Sequence, residues 1–118
     1  METLSIPAAA DLSAAKYYFV KVNSSGQVAL CLDGERPDGI LQNKPAAAGR
    51  AAAVQITGES FIECGAAVTA GDELAPDGTG AAITAVSGDE VGAVALGSGT
   101  GDGSIIRCIV KPTGGVAS

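Results

Sequence analysis

The sequence has no histidine and no tryptophan, and its remaining aromatics, two Tyr and two Phe, make up 3 % of 118 residues. Without histidine the commonest general base and neutral-pH metal ligand is gone, leaving carboxylates, thiols, hydroxyls and amines for any chemistry. Basic residues are scarce, 7 against 13 acidic, for a net charge of −6. No two of them are adjacent, so a phosphate-binding surface is missing and nucleic acid is excluded as a partner. The three cysteines, Cys31, Cys64 and Cys108, lie far apart with no CxxC spacing, which fits neither a disulfide framework nor a zinc site. Each sits among apolar neighbours and reads as a buried thiol packing like a small hydrophobe. No apolar run approaches the ~20 residues of a membrane span, and no basic residue precedes Lys16, so no membrane segment and no targeting signal is expected. Synthesis in a reducing cytoplasm follows.

What the chain does contain is small. Apolar residues reach 47 %, but Ala and Val dominate them. A core of single methyls gains much less than the ~1.5–3 kcal/mol that a buried Phe or Leu contributes. The length suits one domain. A thin core of this kind points to a subunit whose folded form is reinforced by its neighbours.

From Tyr17 to Val22 the sequence is rich in β formers, Asn23-Ser24-Ser25-Gly26 reads as a turn, and Gln27 to Leu32 returns, which together predict a hairpin with Gly26 at positive φ. Further strands are expected around Ile40, at 52–57, 60–64, 81–86, 90–96 and 104–111, each bounded by Gly, Asp, Pro or Ser. Short strands about 8 to 12 residues apart, with no helical stripe, predict an all-β domain of barrel, sandwich or β-tulip type over 17–112. Residues 1–16 lack strand alternation and read as an extended N-terminal arm, and 113–118 as a C-terminal tail.

Four Asp-Gly pairs, at 33, 38, 77 and 102, are read as tight turns, because Asp bonds its own backbone and Gly accepts φ > 0. None has the carboxylate alternation of a calcium loop. The run Gly97 to Gly103 has the glycine content of a phosphate cradle without its lysine or following helix, so it reads as a hairpin loop. No nucleophile elbow or dinucleotide fingerprint is present. The chain is therefore expected not to be an enzyme and to bind no metal and no cofactor.

Taken together, Gly39-Ile40-Leu41-Gln42-Asn43-Lys44-Pro45, the stretch from Ala66 to Ala82, Val91-Gly92-Ala93-Val94-Ala95-Leu96 and the stretch from Asp102 to Val110 resemble the small capsid cement, or decoration, proteins of tailed bacteriophages. The resemblance covers about residues 17–112. It implies a β-rich subunit, homotrimeric, on the outer surface of an assembled head, bound to the major capsid protein and stabilising capsomer contacts. It carries over no catalytic or contact residue.

The expected contact residues come from this sequence alone: Leu4, Ile6, Pro7 and Leu12, apolar in a segment too short to fold alone, and Tyr17 beside them. That arm is expected to be mobile in the lone chain, to order against the shell or an adjoining subunit, and to be dispensable for folding. A different class, a carbohydrate- or surface-binding β-module of a phage tail or bacterial surface protein, would require exposed aromatic platforms. An enzyme or swinging-arm carrier would require a lysine at a hairpin tip, and none is placed there.

Overall fold

The computed structural model describes residues 3–13, 15–32, 35, 37–85 and 91–110, with side chains from residue 5 onward. The expected tail at 113–118 lies outside the described residues, as does the pair Asp33-Gly34. Ten strands form two five-stranded sheets, antiparallel throughout. The first holds β1 (Thr3–Pro7), β2 (Phe19–Val22), β3 (Val28–Leu30), β4 (Gly39–Leu41) and β5 (Ala51–Gln55), in the spatial order β1-β5-β4-β2-β3. The second holds β6 (Gly58–Glu63), β7 (Glu73–Pro76), β8 (Ala82–Thr84), β9 (Ala93–Ala95) and β10 (Ile105–Val110), in the order β6-β10-β9-β7-β8. The all-β expectation holds, and no helix occurs among the described residues.

The β2–β3 hairpin closes as its turn chemistry requires. Asn23 Oδ1 accepts the N–H groups of Ser25 and Gln27, and Gly26 takes φ 75°. The Asp77 turn works in the same way, its carboxylate accepting from Thr79 and Ala81 while Gly80 stands at φ 94°. The turn reading of Asp38-Gly39 is corrected: Gly39 is the first residue of β4. A Cβ there would lie 2.5 Å from Val54 Cγ1 and 2.6 Å from Gln55 O, so this glycine lets β4 and β5 close together. The Gly97–Gly103 loop is pinned at Gly99, which exchanges backbone hydrogen bonds with Val68.

Because side chains alternate across a strand, β2 and β4 feed two layers. Phe19, Ile40 and Cys31 face the second sheet and pack with its Ile62, Cys64, Leu74 and Cys108. Val20, Leu41 and Val54 form a second cluster with Ala8, Leu12 and Ala15. The segment read as an arm thus supplies β1 at the edge of the first sheet and then buries Ala8, Leu12 and Ala15 against that sheet. The surface its apolar residues need is provided by this chain's own sheet. All three cysteines are fully buried. Burial pushes the Cys108 thiol up to about 12 and raises Cys64 as well, which keeps both protonated and unreactive.

Candidate functional site

Where the chain enters β2 it turns sharply. Tyr17 takes φ 70°, a left-handed conformation that costs an L residue roughly 1–2 kcal/mol. Two backbone hydrogen bonds hold it there: its N–H donates to Leu41 O at 2.7 Å in the first sheet, and its carbonyl accepts the Glu63 N–H at 2.9 Å in the second. The twist sends the ring outward onto Phe61 of β6, with centroids 5.8 Å apart and planes at 53°. Lys16 Nζ lies 4.9 Å from the Tyr17 ring centroid, within cation–π range.

The aromatic pair borders a groove of about 430 Å³. Its other walls are Gln42, Gln55, Ser60, Glu59 and Arg107. Gln55 is buried and donates Nε2 to the carbonyls of Thr57 and Glu59, which locks the β5–β6 turn. Gln42 Nε2 donates to Ile40 O at 3.1 Å and to Ser60 Oγ at 2.9 Å. Both amides spend N–H groups inside the protein. Arg107 and Glu59 form an ion pair on the exposed rim, a kind worth about 0–1 kcal/mol.

A second groove of about 280 Å³ meets the first at Tyr17 and is lined by Ser13, Lys16, Lys44, Glu63 and Ile105. Glu63 Oε2 accepts the Tyr18 hydroxyl at 2.9 Å, and that bond pushes the phenol up to about 12. Around both grooves the outward face of the second sheet sets apolar Phe61, Ile105 and Ile109 among Glu59, Glu63 and Arg107. In β10 the alternation leaves Ile105, Arg107 and Ile109 outside while Ile106, Cys108 and Val110 are buried.

Of the residues expected at a contact surface, Tyr17 alone lies on these grooves. Leu12 is a core residue, 6 % exposed. Ile6 is half-buried against the second cluster, Pro7 is exposed at the end of β1, and the side chain of Leu4 lies outside the described residues. Phe61, Arg107, Gln42 and Gln55 were not legible as site residues, because their meeting depends on how the two sheets stack. Among the described residues no group of three or more His, Cys, Asp or Glu could hold a metal ion, and no helix is long and apolar enough to cross a membrane.

The arrangement defines a class: a two-sheet β-domain with two adjoining grooves bordered by Tyr17, Phe61 and Arg107. No protein-family model matches the chain, and no curated protein does. Among solved structures it is similar to the N base of head fiber gp8.5 of bacteriophage phi29, with a TM-score of 0.69 and 98 % of each chain covered at 13 % identity. The two share a fold along nearly their whole lengths.

Proposed function

We propose that the chain is a structural, non-enzymatic protein associated with a phage head, and that it acts there as a cement protein on the outer surface. The observation that carries this reading is the shared fold with a head fiber base, end to end in both chains. The motifs that resemble capsid cement proteins point to the same location. The reinforcing role draws on the chain's own physics: a core built largely from Ala, Val and Cys gains stability when neighbours cover its surface. Its partners in this reading are the major capsid protein and further copies of itself in a homotrimer.

A carbohydrate-binding module is less well supported. Such modules present an open aromatic face for stacking, whereas Tyr17 and Phe61 pack tilted against each other.

The test is to purify virions of the phage that encodes the chain and compare them with virions from which its gene is deleted. The protein is expected in the particle, and heads without it are expected to rupture at lower temperature. Absence from the particle overturns head association. Presence with unchanged head stability overturns the cement role.

A further inference from the structure

An antiparallel sheet with one solvated face normally shows polar residues outward. The second sheet departs from this in β10, although Glu59 and Glu63 of β6 and Arg107 also point outward. Phe61, Leu96, Ile105 and Ile109 are 48, 43, 53 and 44 % exposed, four of the six large apolar side chains exposed among the described residues. The register gathers them. Arg107 of β10 stands opposite Phe61 of β6, Leu96 N–H donates to Arg107 O on the other side, and Ile105 and Ile109 flank Arg107 along the strand. An arginine with Phe61 opposite it, Ile105 and Ile109 on either side and Glu59 paired to it has the residue types of a protein-binding hot spot, and clustered apolar exposure is a mark of interaction sites.

Charge indicates the partner. The chain carries −6 overall, yet three of its seven basic residues, Arg107, Lys16 and Lys44, collect around this face and the groove beside it. Glu59 is paired with Arg107, and Glu63 accepts the Tyr18 hydroxyl while keeping its charge, so the two lysines outnumber the one carboxylate in the second groove. Lys16 and Lys44 enter no ion pair among the described residues.

The backbone indicates the mode of contact. β6 is the outermost strand of its sheet, but its edge is occupied: Glu63 N–H donates to Tyr17 O, the Gln55 amide covers Glu59 O, and Ser60 Oγ donates to Phe61 O. An edge blocked in this way resists strand addition. What it offers is side chains.

We propose that this face docks an apolar, carboxylate-bearing segment of a neighbouring protein of the phage head, its apolar side chains covering Phe61, Ile105 and Ile109 and its carboxylates meeting Lys16 and Lys44. The proposal rests on the head-associated reading and names its contact surface. The experiment is co-sedimentation of the purified full chain with heads assembled without it, at several salt concentrations, with thermal melts confirming that each variant is folded. Phe61→Ser with Ile105→Ser is expected to weaken binding about thirty-fold, as for two interface side chains worth about 1 kcal/mol each. Lys16→Glu with Lys44→Glu is expected to weaken it about tenfold and to flatten its salt dependence. Val22→Ser with Leu32→Ser, equally exposed positions of the first half of the chain, should bind as wild type does. Should the serine pair fail to fold, a photo-crosslinking residue at Ile109 replaces it and is expected to capture a head protein. Failure of the wild type to sediment overturns head association itself. Wild-type binding that survives the serine pair, or that yields no crosslink from Ile109, overturns this face as the contact, and binding indifferent to both lysines overturns the acidic character of the partner.

Discussion

The Tyr18 hydroxyl donates to Glu63 Oε2 at 2.9 Å, joining residues 45 positions apart and tying the entry of β2 to the end of β6. The carboxylate holds the proton on the phenol, so Tyr18 titrates near 12 instead of near 10. Because the folded value is raised, the stabilisation is complete below pH 10 and is lost as pH rises toward 12. An ultraviolet titration of the native protein should show Tyr18 ionising late, and Glu63→Gln should bring that step down. Tyr18→Phe should cost about 1 kcal/mol in urea unfolding.

Gly39→Ala should destabilise by about 1–3 kcal/mol, the usual cost of overpacking, because its methyl would meet Val54 Cγ1 and the Gln55 carbonyl. Gly78→Ala is the control. Nothing lies within 4 Å of a Cβ there, and its φ is not positive, so its unfolding free energy should stay within about 0.5 kcal/mol of wild type.

The thiols should be silent in the native state. A thiol-disulfide reagent at pH 8 is expected to modify none of the three buried cysteines until denaturant is added, then all three. Cys108→Ala should cost about 1–2 kcal/mol, as a small core truncation does.

Leu12→Ala should lower stability by about 2–5 kcal/mol, since the side chain is 6 % exposed among Val20, Leu41 and Val54. Deleting residues 1–16 should go further and abolish the cooperative urea transition, because it strips one face of the first sheet and removes the strand paired with β5. Retention of a sharp transition in the deletion would mean that 17–110 folds alone.

Most of the strand order was readable locally. The hairpin at Gly26, the strands at 52–57 and 60–64, and the run from Ile105 to Val110 all carry β formers between turn residues, and all are strands in the structure within a residue or two. β1 was not readable, because Leu4-Ser5-Ile6-Pro7 is too short to show a period and its strand character comes from pairing with β5. Gly39 looked like a turn residue because Asp precedes it, and only the close approach of Val54 explains its presence. The docking face was hidden for another reason. In β10 every position except Arg107 and Cys108 is Ile or Val, so no alternation of polarity separates the outward row from the buried one. Tyr17 was picked out by composition, but its partner Phe61 is distant in sequence and meets it through a backbone turn that nothing in the residue types announces.

The division of strands between the sheets has a consequence for synthesis. Every strand of the first sheet precedes Ile56 and every strand of the second follows Thr57, so the chain leaves the ribosome one sheet at a time. All five strands of the first sheet can pair, and Leu12 can seat, while the second is still being translated. Phe19 and Ile40 then remain uncovered until Ile62 and Leu74 arrive. A chain released after Thr57 would therefore present a sticky, half-finished surface, and the second half is what covers it.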